Sequence, residues 1–385
     1  MSLSISQTPA NVSLAQSPIV FSVYENTSII QNAGFQYVAE LHYWTGSVYN
    51  SGSVDYTLVK YPNTSGYGIF DIGRIINSTL TPLAIQNPSN VVYFSVEFYT
   101  QYLSGSTYVT GSHVQSSTYK ALDGYEIFQE SIGQQVYNLT PHWPLMTDGP
   151  VTQSFLEDNY GQSGVFVGLS GTTQPTKLVY SGSLGNGEIA LSSSTNSNNQ
   201  IQRYPSAPLQ SGFPLSSAST WYTIQAYAGS SPLGLPITYE LACKQKYPNV
   251  RIQWKNRYGQ FDWFNFYMVS RNSFSTETRT YQPQLGSWEA SALSYNRYDS
   301  SVLNYIADSK QAVSVNSFWI PETYNEILKQ LMVSDEIYWV HDEANNYVRP
   351  ITITTQNVTF KTGVNDHLIQ YAFDFNYGQA YKLII

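Results

Sequence analysis

The stretch RIQWKNRYGQFDWFNFYMVSR, Arg251–Arg271, places a glycine between two runs of aromatic residues. Ile252 and Trp254 share one face of a strand before the turn, and rings occupy both faces after it. The pattern predicts a β-hairpin that is apolar on both sides, covered by a second layer or by a neighbouring subunit. The cations among the rings also suit a groove that stacks single-stranded nucleic acid. We favour a core or an interface, with the cations solvated or at an interface rim.

Four rings of this hairpin are the candidate anchors of an interface between copies. Buried aromatic residues contribute a disproportionate share of association energy, so few positions can hold an assembly together. The candidates are Trp254, Trp263, Phe264 and Phe266.

The whole chain is poor in charge and rich in aromatic residues. Of its 385 residues, 11% are charged and 15% are aromatic, whereas soluble domains are about 25% charged. Tyrosine, threonine and amide surfaces cost little to desolvate, so the composition favours a permanent assembly of copies. The net charge of −8 gives no attraction to nucleic acid or to anionic membrane. We therefore expect partner copies of the chain, no nucleic acid and no membrane insertion.

Short alternating runs separated by Ser, Gly and Asn predict a mainly β protein built as a multi-module β-sandwich, immunoglobulin-like or jelly-roll-like. The clearest strands are Phe35–Trp44, Val54–Tyr61 and Val91–Leu103. One amphipathic helix is predicted over 321–334, because its apolar residues recur at helical spacing. We divide the chain into a β-sandwich over 1–125, a β-rich module with long polar loops over 126–245, and a C-terminal β-module with the helix over 246–385.

No pattern in the chain points to catalysis. The five histidines form no HExxH or HxH spacing, and the HxE spacing of His341-Asp342-Glu343 is more typical of a solvated turn. Gly182–Gly187 lacks the Lys-Ser/Thr of a phosphate loop, so it predicts a hairpin turn. Cys243 is the single cysteine, which excludes an internal disulfide and a thiolate metal cluster. We expect a protein that is not an enzyme and has no cofactor and no metal.

Three parts of the chain carry recurring aromatic and turn patterns. The first is QTPANVSLAQSPIVFSV with FQYVAELHYW and YPNTSGYGIFDIGRIIN, the second NRYGQFDWFNF with SRNSFSTETRTYQP. The third is SFWIPETYNEILKQLMVSDEIYWV with VRPITITTQNVTFKTGVNDHLIQYAFDFNYG. Together, over Gln7–Ser78 and Arg251–Gly378, they resemble virion structural proteins of tailed bacteriophages, especially crAss-like and related phages of Bacteroidota. The resemblance implies a non-enzymatic homo-oligomer of the neck, collar, tail or capsid vertex, assembled with other virion proteins in the host cytoplasm.

A receptor- or glycan-binding spike or fibre of a virion is the alternative interpretation. The middle module carries the candidate glycan-binding residues Trp221, Tyr222 and Tyr227, since aromatic faces stack on sugar rings. A host surface glycan would then be a further partner. Ordinary strand packing is the favoured explanation of the same three residues, and their exposure discriminates between the two.

Overall fold

The computed structural model describes residues 3–44, 54–80, 91–128, 132–155, 164–168, 174–191, 201–208, 210–216, 218–241, 246–287, 294–342, 347–360 and 368–378. Strands account for 53% and helices for 9%, which confirms the prediction of a mainly β chain. Cys243 and the polar stretch 192–200 lie outside the described residues. No helix of the described residues is long and apolar enough to span a membrane.

The chain forms two compact units. The first comprises 1–243 together with the short segments 255–262 and 326–331. The second comprises 244–254, 263–325 and 332–385. The predicted boundary after residue 245 lies close to the transition at residue 243. The predicted boundary after residue 125 falls inside the first unit, between sheets that share no described strand.

The first unit is built almost entirely of short strands, with helices α1 (Gly73–Thr79) and α2 (Val136–Leu139). Its strands are β1 (Leu3–Gln7), β2 (Val12–Leu14), β3 (Val20–Glu25), β4 (Gln36–Trp44), β5 (Tyr56–Lys60), β6 (Tyr67–Asp71), β7 (Val91–Ser104), β8 (Thr107–Gln115), β9 (Tyr119–Leu122), β10 (Thr152–Phe155), β11 (Gly164–Gly168), β12 (Lys177–Gly182), β13 (Gly185–Ala190), β14 (Ile201–Pro205), β15 (Trp221–Ala228) and β16 (Ser231–Leu241).

Two sheets of the first unit pack face to face as a β-sandwich. One has the order β1-β3-β6, and the other has the order β2-β9-β7-β4-β5 with β8 paired to β7. Phe21 of β3 and Phe70 of β6 both pack against Phe98 of β7. The ring centroids are 5.4 Å apart for Phe21 and 5.5 Å apart for Phe70. Since alternate residues of a strand point to opposite faces, Ser95, Glu97 and Tyr99 lie on the outer face of the six-stranded sheet.

A second group of strands in this unit forms a five-stranded sheet, β10-β16-β15-β12-β13, and a two-stranded one, β11-β14. Strands β12 and β13 join through a tight turn in which Gly182 pairs with Gly185. The hairpin turn predicted for Gly182–Gly187 is therefore confirmed.

The second unit is organised around a seven-stranded sheet with the order β18-β17-β22-β23-β25-β20-β19. Its elements are β17 (Val250–Lys255), β18 (Phe261–Phe266), β19 (Arg271–Tyr281), β20 (Leu303–Asn316), β21 (Ile320–Pro321), α3 (Asn325–Val333), β22 (Ile337–Asp342), β23 (Tyr347–Ile353), β24 (Leu368–Ile369) and β25 (Ala372–Tyr377). The end of β17, the start of β18 and residues 326–331 of α3 count with the first unit.

The helix predicted over 321–334 is confirmed with a later start. A 3₁₀ turn over Glu322–Tyr324 follows Pro321, and the α-helix begins at Asn325. Tyr324, Ile327, Leu328 and Leu331 are buried, as the helical spacing of the apolar residues predicts.

Candidate functional site

The four candidate anchor rings of the hairpin are buried within the chain itself. Trp254 and Phe266 are 0% exposed, and Phe264 and Trp263 are 7% and 9% exposed. Phe266 packs edge-on against Phe373, with ring centroids 5.9 Å apart. Packing within one chain therefore accounts for the burial of these rings without a second copy. Their role as anchors between copies stays a prediction.

Arg251 and Lys255 of the hairpin are buried, so the expectation that its cations are solvated or at an interface rim is wrong for these two residues, whereas Arg271 is exposed. Arg251 is 1% exposed, its Nε donates to Oδ1 of Asn265 over 2.8 Å, and its guanidinium lies 5.2 Å from the centre of the Trp263 ring. In the first unit, Nζ of Lys255 lies 3.1 Å from Oδ2 of Asp123, with both side chains buried. A buried charge must be paired or hydrogen-bonded. The hairpin itself supplies the partner of Arg251, and a segment 132 residues away supplies the partner of Lys255.

The turn between β17 and β18 belongs to the first unit and continues this buried polar network. Asp262 accepts hydrogen bonds from Thr147 Oγ1 over 2.7 Å and from Asn256 Nδ2 over 2.9 Å. Burial raises the pKa of Asp262 to about 7, although both donors favour its ionised form. Arg257 forms an ion pair with Asp148. These groups have partners inside the unit, which disfavours the groove for single-stranded nucleic acid considered from the sequence.

The three candidate glycan-binding rings do not form one platform. Trp221 is 45% exposed, but Tyr222 is 0% exposed and its ring stacks on Tyr239 at 5.2 Å. The assignment of Tyr222 is therefore wrong, because its strand directs it into the core. Tyr227 is half-buried on the same side of β15 as Trp221, but six residues of strand separate the two rings by about 20 Å.

The surface that stands out is a two-stranded extension of the second unit. Strand β20 pairs with β25 over 312–316, whereas its pairing with β19 continues from Phe274 opposite Gln311 to Tyr281 opposite Leu303. We call Phe274–Tyr281 and Leu303–Gln311 the β-arm. Its eight-residue strand spans about 27 Å. Every residue of β19 is exposed, so neither face of that strand rests on a core.

The β-arm presents two features that suit association. Among the described strands, β19 ends the order of the seven-stranded sheet, and an edge strand offers unpaired backbone N–H and C=O groups. Large apolar side chains lie exposed along the arm and at its tip, with Phe274 53%, Tyr305 56% and Tyr298 85% accessible. A two-stranded hairpin is at best marginally stable in water. The arm is therefore suited to association with another chain.

A separate group of side chains lies on the outer face of the six-stranded sheet. Glu40, His42 and Glu97 each offer a ligand atom, and these atoms lie within 4.8 Å of one another. The histidine spacings HExxH, HxH and HxE do not capture this group, in which the carboxylate precedes the histidine. The usable signal was Glu40-Leu41-His42, since residues two apart in a strand share a face. Glu97 is brought in by strand pairing, which no local spacing reveals.

No protein-family model matches this chain, and no curated protein matches it.

Proposed function

We propose that this chain is a non-enzymatic structural subunit of a tailed-bacteriophage virion, acting through symmetric association of its copies. The observation that carries the proposal is the β-arm, whose strand β19 is exposed along its whole length. The low charge of the chain supports the same role, because such surfaces are inexpensive to desolvate. The resemblance of the N-terminal and C-terminal segments to phage virion proteins supports the setting.

The residues of β19 favour a second copy as the partner of the arm. Glu277 and Arg279 flank Thr278, and both charged side chains are more than 60% exposed. If two β19 strands pair antiparallel about Thr278, each Glu277 lies opposite an Arg279 of the other copy. The same register places Thr276 opposite Thr280. A two-fold contact must be complementary to itself, and opposite charges or paired threonines facing one another stabilise neighbouring strands.

A charge-swap series tests this contact by light scattering on a sizing column. Glu277→Arg places Arg opposite Arg twice in the two-fold pairing, so we expect several-fold weaker association. Within the arm the new Arg faces Asp308, so the variant retains a favourable pairing in the isolated subunit. Glu277→Arg with Arg279→Glu restores opposite charges, and we expect association to recover. Equal association in all three proteins contradicts the register, and a wild-type monomer contradicts association through the arm.

A shortened arm tests the surface independently of its register. Thr276 and Ser309 are cross-strand partners, so an Asn-Gly turn joining them closes the hairpin without a change of register. We expect this variant to be folded and monomeric. Unchanged association of the shortened protein contradicts the role of the arm.

The virion setting requires its own measurement. Mass spectrometry of purified particles of the encoding phage should find the chain in many copies per particle, and its absence from particles contradicts the assignment. Negative-stain images of the purified protein add the type of assembly. Closed rings support a collar or tail component, whereas compact trimers favour the spike alternative.

A further inference from the structure

We propose that the outer face of the six-stranded sheet binds a divalent transition-metal ion, held by Glu40, His42 and Glu97. Strands β4 and β7 are antiparallel, with Glu40 opposite Glu97 and His42 opposite Ser95. These four side chains consequently form a square on one face. The proposed site is separate from the β-arm, and it stands or falls independently of assembly.

The two carboxylates give the first argument for a cation. Like charges directly opposite one another on neighbouring strands destabilise a sheet. Glu40 and Glu97 occupy such a position in the middle of the longest strand pairing of the sandwich, and both are half-buried. A bound cation converts this repulsion into attraction.

Ser95 gives a second, independent argument. It is 3% exposed, and its Oγ has no hydrogen-bond partner among the described residues. Buried hydroxyl groups are almost always hydrogen-bonded. The position of Ser95 opposite His42 and two residues before Glu97 directs this hydroxyl to the same face. A water molecule on the metal would satisfy it.

The carboxylates are already oriented by outer partners. Tyr99 donates from its hydroxyl to Oε1 of Glu40 over 2.8 Å, and Nδ1 of His113 lies 3.0 Å from Oε1 of Glu97. The rings of Tyr99 and His113 stack, with centroids 5.1 Å apart. Such outer hydrogen bonds are typical of metal sites.

The ligand set selects the class of metal. One imidazole nitrogen and two carboxylate oxygens suit Zn²⁺, which takes His and Glu at about 2.0–2.2 Å and leaves a fourth position to water. Mg²⁺ and Ca²⁺ prefer sites made only of oxygen. Glu97 is 38% exposed, so an ion can enter from solvent. Rotation of the two long Glu side chains brings their oxygens to the metal.

Calorimetric titration of the untagged, chelator-treated full chain with ZnCl₂ tests the site. We expect one Zn²⁺ per chain, and at least tenfold weaker binding in Glu97→Gln and in Glu40→Gln. Both substitutions keep the side-chain shape and remove the repulsion, so the metal-free variants should melt no earlier than wild type. Glu188→Gln, in the exposed pair with Lys177, is the matched control and should bind as wild type does.

Two further measurements separate the ligands from their outer partners. Tyr99→Phe leaves the three ligands in place and should weaken Zn²⁺ binding about tenfold. Co²⁺ in place of Zn²⁺ should give the visible absorption of a four-coordinate ion, and Glu97→Gln should abolish it. Wild-type affinity in both glutamine variants overturns the proposal, as does the absence of stoichiometric Zn²⁺ binding to the wild-type chain.

Discussion

The hairpin β17–β18 and the β-arm follow one another in the chain, yet their environments are opposite. Every residue of β17 and β18 is buried, whereas every residue of β19 is exposed. Both regions contain charged and aromatic residues. Charge alone therefore does not decide whether a strand of this protein is covered.

The difference lies in what meets each polar group. In the hairpin, Arg251 meets Asn265, and Lys255 meets Asp123. In the β-arm, the side chains of Glu277 and Arg279 are largely exposed to water, and their charged atoms lie 4.0 Å apart. Burial is tolerated where the chain provides a partner for the charge. Three predictions test this difference between buried and exposed groups, in order of decreasing effect.

The first compares one ring from each region. Trp254→Ala removes a side chain that is 0% exposed and should lower the free energy of unfolding by about 3–5 kcal/mol. Phe274→Ala removes a ring that is 53% exposed and should change it by no more than about 0.5 kcal/mol. Urea denaturation at a concentration where the chain is monomeric measures both. Similar losses in the two variants would mean that the arm is packed.

The second compares two ion pairs. Lys255→Met leaves Asp123 buried without its cation, and we expect a loss of about 3 kcal/mol or more. Lys177→Met breaks a pair with Glu188 in which both side chains are substantially exposed, and it should cost at most about 1 kcal/mol. Denaturant midpoints of the two proteins at neutral pH give the comparison. A smaller effect at Lys255 than at Lys177 would contradict the buried network.

The third concerns pH. The pKa of Asp262 is raised to about 7 in the folded chain, so between about pH 4 and pH 7 the folded state holds a proton that the unfolded state has lost. Stability from this group is consequently greatest in acid and decreases as the pH rises, by up to about 1.4 kcal/mol per pH unit. Asp262→Asn should remove that slope. Asp308→Asn in the β-arm is the control, and a slope that survives in Asp262→Asn refutes the assignment.

Local patterns predicted the strands well because strand alternation is a property of neighbouring residues. The run Phe35–Trp44 became β4 from Gln36 to Trp44, and Val91–Leu103 became β7 from Val91 to Ser104. The same patterns placed the rings of the hairpin in covered positions. Local patterns could not identify the partner of Lys255, because Asp123 lies 132 residues away in the sequence.

The sequence by itself determined the fold class of this protein. Alternating apolar and polar residues separated by turn residues indicated a mainly β chain, and apolar residues at helical spacing indicated the amphipathic helix near the C-terminus. Only the tertiary structure decided that β19 is exposed along its whole length, which cations are neutralised and which carboxylates stand opposite one another. Strand alternation and turn signals are set by residues that are neighbours in the sequence, so they can be read before the fold is known. Burial, ion pairing and the meeting of Glu40 with Glu97 depend on strand registers between distant segments, and a register exists only after the chain has folded.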